Sequence, residues 1–527
     1  MVDNILYDYI AGEVKVIRID YLPIKLLFKK VFEEENIQPG KYYGQNGRDI
    51  LRKVQPKLYE IFEKRLFEFD VVEIHKKALR FYSNQLFKKI TVDELIRIGH
   101  LSSEDRVLKL KECEEYWLPL RLLILLNLCS RHSENAKKEI GEEDFYFLLG
   151  MAYELNAIQL NSDAMSENDK DLYLELKDDN IYDFVFSEDY TKRISRIYER
   201  KNNYLDFYAH TRCITKQDYD EFLLSFYQDT GVRYDVLTNV LNTLGTESFL
   251  SQFLFIESSY YCTNKKYLIG KLTEKLNTEG IENALNFISL DCSKIKFANG
   301  QMHDIIPLWE RKTRTERIET KPIIELNGLV YLAAPLFYEA FREWGGAFSQ
   351  LCLPYETGFN NTIETINKLN KKVQNDLVDE VLKIFRNYPG FVADKEIDLH
   401  KRDRNAGFPD NLGDYDIIAI NERLKIAFVI ECKCVSMTKT VHEVYSKDKH
   451  FFLDSKNHEK FRKRIEFFNQ NYHSIIDSIF HIKDSSNYTI YSIMIFNKVM
   501  EPINISLPFD NLSYHEFKKG FLTFIPR

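Results

Sequence analysis

The chain has 527 residues, 44% hydrophobic and 29% charged, with a formal net charge of −8. Those proportions exclude a disordered, collagenous or disulfide-stapled chain and leave room for two to four folded domains. Its eight cysteines are scattered singly except for Cys432 and Cys434, which points to reduced thiols rather than a disulfide framework or a zinc site.

Twenty glycines and thirteen prolines are few for this length and favour long helices over a turn-rich β architecture. Met1 to Ala11 lacks the basic leader of a secretory signal, so the expected compartment is the cytoplasm. Residues 1–300 read as a mainly helical region, with three/four-residue apolar spacing over Tyr21–Phe32, Val54–Phe69, Glu115–Ser130 and Asp218–Phe226. The longest apolar run, Tyr116–Cys129, contains Pro119, Arg121 and Asn127 and is too short to span a bilayer; it reads as a buried helix. Asn161–Asp183 is acidic and weakly periodic, the pattern of a loop or sub-domain boundary.

Residues 301–365 read as a connecting α/β module. Within it, Asn327-Gly328 between two apolar runs predicts a hairpin with a type I′ turn. Arg311, Lys312, Arg314, Arg317 and Lys321 form a basic cluster there, read as a solvated loop or, alternatively, a phosphate-contacting surface. Residues 366–527 read as an α/β domain: a helix around Ile363–Arg386, a strand at Phe391–Ile397, a charged loop over 401–412 and a hairpin. A helical stretch around His450–Asn471 and a strand at Tyr488–Phe496 follow.

The hairpin carries the chemistry. Its first strand is Gly413-Asp414-Tyr415-Asp416-Ile417-Ile418-Ala419-Ile420 and its second is Ile426-Ala427-Phe428-Val429-Ile430-Glu431-Cys432-Lys433-Cys434. Apolar strands reject carboxylates unless these are paired or bind a metal. Glu431 and Lys433 share parity and therefore a face, whereas Cys432 and Cys434 point to the other. A turn over Asn421–Lys425, symmetric about the Arg423/Leu424 boundary, sets Asp416 opposite Glu431, with Cβ atoms roughly 4.5–5.5 Å apart. That spacing suits two carboxylates sharing one hard divalent cation.

This arrangement resembles the PD-(D/E)xK nuclease superfamily, the restriction-endonuclease-like fold, over roughly residues 370–500. The resemblance implies a metal-dependent endonuclease, with Mg²⁺ (Mn²⁺ able to substitute) held by Asp416, Glu431 and the Cys432 carbonyl, and with Lys433 beside the attacking water. It also implies a helix glutamate supporting the metal, for which Glu380 is the candidate and Asp376 and Asp379 are competitors. The literal Pro-Asp pair, Pro409-Asp410, lies upstream of the hairpin register, so Asp416 takes the metal position while Asp414 and Asp410 stay as alternatives. Helix order before and after the hairpin is the order expected of that nuclease core.

Residues 371–527 carry 24 Lys/Arg against 22 Asp/Glu, so the acidity of the chain sits mainly upstream. After the motif, Lys447, Lys449, Lys456, Lys460, Arg462, Lys463 and Arg464 outnumber Asp448, Asp454 and Glu459. Lys456, Lys460, Lys463 and Arg464 share a helical face by spacing and suit backbone phosphate contacts. His442, His450 and His458 are further candidates to join the site. The expected partner is nucleic acid, DNA before RNA, with a partner protein or a second copy of the chain also expected and no membrane. The long N-terminal region suits sensing, targeting or assembly, as in a bacterial anti-phage effector. Two rival readings are a catalytically silent nuclease-like scaffold in a nucleic-acid complex and a helical interaction protein with an unrelated α/β domain.

Overall fold

The computed structural model describes residues 5–10, 13–98, 100, 117–129, 138–167, 171–177, 181–189, 192, 213–256, 260–294, 315–435, 451–452, 457–483, 486–500 and 507–525. Two compact units make up the chain. The first is Met1–Lys192, Phe222–Phe348 and Leu353–Ile363; the second is Arg193–Glu221, Ser349–Cys352 and Glu364–Arg527.

Long helices dominate the first unit: Leu22–Glu34, Gly44–Leu66, Val71–Arg97, Trp117–Cys129 and Glu142–Glu167. Helix Trp117–Cys129 is apolar on every side, and each residue from Pro119 to Asn127 is buried, as expected of a central core helix. Its one charge, Arg121, is satisfied internally. Its Nε donates to the Tyr82 hydroxyl at 2.6 Å and its Nη1 lies 3.4 Å from Glu319 Oε1.

Among the described residues three small sheets decorate these helices. Strands β1 (Ile5–Ile10) and β2 (Glu13–Arg18) pair antiparallel; β3 (Gly40–Tyr43), β4 (Leu172–Leu176) and β5 (Tyr182–Phe186) form a second antiparallel sheet. The second sheet corrects the loop expected over residues 161–183. Helix Glu142–Glu167 runs into that segment, and Leu172, Leu174 and Leu176 alternate inward along β4. Strands β6 (Leu254–Ile256), β7 (Tyr260–Thr263), β8 (Ile324–Leu326) and β9 (Leu329–Leu332) form the third, in the order β6-β7-β9-β8. Asn327 and Gly328 both adopt positive φ, 52° and 76°, as the expected type I′ turn requires. Because β9 pairs with β7, this hairpin is part of the first unit's sheet rather than of a separate connecting module. Arg317 and Lys321 are buried there: Arg317 Nη2 donates to the Pro354 carbonyl at 2.6 Å, and Lys321 pairs with Glu316. Neither presents a phosphate-binding surface; Arg311, Lys312 and Arg314 lie outside the described residues.

The second unit is a five-stranded mixed sheet in sequential order: β10 (Phe391–Ile397), β11 (Tyr415–Asn421), β12 (Ile426–Lys433), β13 (Thr489–Phe496) and β14 (Asp510–Ser513). Antiparallel ladders join β10 to β11 and β11 to β12; the β12–β13 and β13–β14 ladders are parallel. Parallel neighbours need a crossover, and helix Asn457–Phe480 lies between β12 and β13 in the chain. Its Phe461, Ile465, Phe468, Ile475 and Ile476 cluster with Ile418, Ile420, Ala427, Val429, Met494 and Phe496 of the sheet. Phe428, of opposite parity, instead meets Phe385 of helix Asn360–Arg386 and Phe521 after helix Tyr514–Gly520. Helices therefore cover both faces. Among the described residues no helix is long and apolar enough to cross a membrane.

Candidate active site

The β11–β12 hairpin positions the site. Its ladder runs from Asn421↔Ile426 to Ile417↔Ile430, the register expected from symmetry about Arg423/Leu424. The turn is held by Asn421 Oδ1, which accepts the Leu424 N–H at 3.0 Å, and by Lys425 in the left-handed region at φ 55°. One step beyond the last ladder pair, Asp416 comes opposite Glu431. There Asp416 Oδ2 accepts the Cys432 N–H at 2.7 Å. The open end of the hairpin is thus closed by a carboxylate rather than by another backbone bond.

Glu431 is on the middle strand of the sheet and only 4% exposed. Both its oxygens are engaged: Oε1 lies 2.6 Å from Lys433 Nζ, and Oε2 accepts from Arg464 Nη2 at 2.5 Å. Lys433 Nζ is also 4.0 Å from Asp416 Oδ2, so the lysine spans the carboxylate pair. Cys432 is fully buried, as expected for the opposite parity. Burial pushes the Asp416 carboxyl up to about 6, and the nearby Glu431 charge adds to the rise. For Lys433, burial works to lower the ammonium, yet Glu431 and then Asp416 outweigh it and the net direction is up. Two carboxylates therefore face two cations in a largely dry site.

Arg464 is the residue whose place the sequence misassigns. Its spacing with Lys460 and Lys463 suggests a solvent-facing basic stripe, and those two lysines are exposed. Arg464 itself is 8% exposed and turned onto Glu431. The available signal is its place within the apolar stripe Phe461–Ile465–Phe468 of the same helix. Tyr415 anchors that turn of helix by donating its hydroxyl to the Arg464 carbonyl at 2.9 Å. Gly413, at φ 74°, brings the chain so close that a Cβ there would lie 3.4 Å from Arg464 Nη1.

The remaining candidates separate. Glu380 belongs to the helix packed on the Phe428 face; its carboxylate meets Lys383 at 2.6 Å and the Tyr514 hydroxyl at 3.5 Å. That packing, rather than the chemistry of the residue, keeps it from the Glu431 face. Asp379 pairs with Lys395 at 2.5 Å, and the charge of Asp376 bears on the Cys213 and Cys434 thiols. Asp410 and Asp414 are exposed ahead of β11. Lys456, Lys447, Lys449, His442 and His450 lie outside the described residues; His458 lies in the first turn of helix Asn457–Phe480, its Nδ1 buried with no hydrogen-bond partner among the described residues.

Asp416, Glu431 and a main-chain carbonyl at Cys432 are hard oxygen donors of the kind Mg²⁺ takes with one or two carboxylates and several waters. No group of three His, Cys, Asp or Glu residues suited to a metal occurs among the described residues, so any ion here would rest on this pair. The donor set fits a hard cation, with one condition: a Glu431 oxygen must first be released by Lys433 or Arg464. Comparison with known proteins finds no family model, no curated protein and no solved structure that matches this chain.

Proposed function

We propose that the second unit is a Mg²⁺-dependent nuclease of the PD-(D/E)xK, restriction-endonuclease-like type, acting on nucleic acid with DNA favoured over RNA. The observation that carries this reading is Lys433 within 2.6 Å of Glu431 and 4.0 Å of Asp416, at the open end of an antiparallel hairpin flanked by helices. A carboxylate pair, Glu431 buried and Asp416 half-buried, with a lysine across it has no structural need to exist at the end of two apolar strands.

Asp416, Glu431 and the Cys432 carbonyl would hold the metal, whose chemistry there is to polarise the phosphoryl oxygens and acidify water. In hydrolysis a water oxygen forms a bond to phosphorus, one P–O ester bond breaks, and a proton passes to the departing alkoxide. The carboxylates hold Lys433 as an ammonium, which favours a role orienting the water and stabilising charge over one as general base. Lys460 and Lys463, exposed on the crossover helix, suit backbone phosphate contacts. The helical first unit would direct or restrain cutting, in keeping with a defence effector and with a partner protein or second copy. Saturation of both Glu431 oxygens favours one alternative, a silent scaffold whose charges merely neutralise each other.

Cleavage of plasmid, single-stranded DNA and RNA separates the two. The nuclease reading expects cutting with Mg²⁺ or Mn²⁺, none with EDTA, and a loss of at least ~100-fold in Lys433→Ala. Equal cutting by wild type and variant would place the activity elsewhere. A scaffold binds nucleic acid with the same affinity with and without metal and cuts nothing.

A further inference from the structure

Arg464 has an unusual set of contacts for a buried arginine. A guanidinium offers five N–H donors; here one goes to Glu431 Oε2 at 2.5 Å and the group lies 5.9 Å from the Phe461 ring, while Nε is buried with no hydrogen-bond partner among the described residues. Nη1 faces Gly413, an exposed residue whose missing Cβ leaves it room. Lys433, by contrast, contacts both carboxylates and sits only two residues from Glu431 on the same strand. Of the two cations on Glu431, Arg464 is the less committed and the one with somewhere to go.

We propose that Arg464 is a latch on Glu431: it holds an oxygen that a divalent metal needs, gives it up when the metal enters, and then offers its guanidinium to the phosphate undergoing cleavage. This rests on the nuclease reading and adds to it a residue that opposes metal entry. The planar fork of arginine matches phosphate oxygens in a way a lysine does not, so the released side chain has a second use. The two roles make opposite demands, and that opposition is what can be measured. Loss of a residue that merely props up Glu431 weakens metal binding and cleavage together. Loss of a latch tightens the metal while still slowing cleavage.

The test uses the full chain and Mn²⁺ alone as the probe, with free ion counted by electron paramagnetic resonance. Wild type, Arg464→Gln, Arg464→Lys and Glu431→Gln are compared, and cleavage rates are taken at saturating Mn²⁺. Removing one positive charge beside a dication strengthens its binding about ten-fold even where water screens the pair. Arg464→Gln is therefore expected to bind Mn²⁺ about ten-fold tighter and to cut at least ~10-fold more slowly. Arg464→Lys, with its charge kept but its reach shortened, falls between, and decides the matter if the glutamine variant does not fold. Unchanged or weaker Mn²⁺ binding in the Arg464 variants, with wild-type binding abolished by Glu431→Gln, overturns the latch and leaves the nuclease reading standing. Wild-type binding that is absent or indifferent to Glu431→Gln overturns both.

Discussion

Asp416→Asn should make the protein more stable at neutral pH, although it removes a residue placed at the centre of the site. The ordinary carboxyl titrates at 3.8 and the folded one at about 6, because burial and the Glu431 charge disfavour its ionised form. A displacement of that size carries about 3 kcal/mol of unfavourable free energy once the group is ionised. The sign follows from linkage. Below pH 3.8 the carboxyl is protonated folded and unfolded, and nothing is lost; stability falls as pH rises from there through about 6, and the loss is complete above it. The asparagine variant has no such slope, and its amide oxygen can still accept the Cys432 N–H. In EDTA at pH 7.5 it should exceed wild type by about 1–3 kcal/mol, and the difference should vanish near pH 4. Tryptophan fluorescence is blind to this, since Trp117, Trp309 and Trp344 all lie outside residues 364–527. Hydrogen exchange of β11 and β12 peptides is the suitable readout, with roughly 5- to 150-fold slower opening expected in the variant. Adding Mg²⁺ should then slow opening in wild type and leave the variant unmoved. A variant no more stable than wild type at pH 7.5, with the same difference at pH 4, would refute the idea that burial and the Glu431 charge burden Asp416.

Gly413→Ala adds a Cβ at φ 74° against Arg464 Nη1 and should lower stability by about 1–2 kcal/mol, read as a thermal shift of the second unit by circular dichroism. In the first unit, Arg121→Gln removes the guanidinium from the buried Tyr82 hydroxyl and leaves Glu319 with Arg317 Nη1, 3.7 Å away, and should destabilise by about 1–3 kcal/mol. The Trp117 ring, 4.1 Å from the Arg121 guanidinium, supplies a fluorescence signal for that loss.

The geometry of the candidate site was legible because the signals for its hairpin are local. A polar turn between two apolar runs fixes which residues oppose each other, and one register places Asp416 across from Glu431. The Asn327-Gly328 hairpin was legible for the same reason, since only a few residue pairs accept two successive positive φ angles. What was not legible depends on partners far away in the chain. Strand β4 hides in an acidic segment because its signal is just three alternating leucines, given meaning by β3 some 130 residues earlier. Glu380 looked suitable by position, but the side of the sheet on which its helix packs is decided by Phe385, Phe428 and Phe521 together. Likewise, the second unit includes residues before Phe222, where Asp218 pairs with Lys372 at 2.5 Å, a contact no linear boundary anticipates.

Charge ties these observations together. The −8 net charge of the chain argues against a nucleic-acid partner only if charge acts as a uniform field, and salt at physiological strength confines exposed charges to about 8 Å. What a phosphate would meet on the proposed nuclease reading is local: Asp416 and Glu431 against Lys433 and Arg464, a sum of zero before any metal, with exposed Lys460 and Lys463 on the helix that carries Arg464. On the nuclease reading a dication turns that balance to net positive at the point where the phosphate must sit. The same ion would offset the burial and the Glu431 charge that raise the Asp416 carboxyl, since a dication favours the charged form of a carboxylate beside it. On the proposed reading metal entry and phosphate attraction would be a single electrostatic event, and a neutral resting site would avoid holding nucleic acid when no metal is present to cut it.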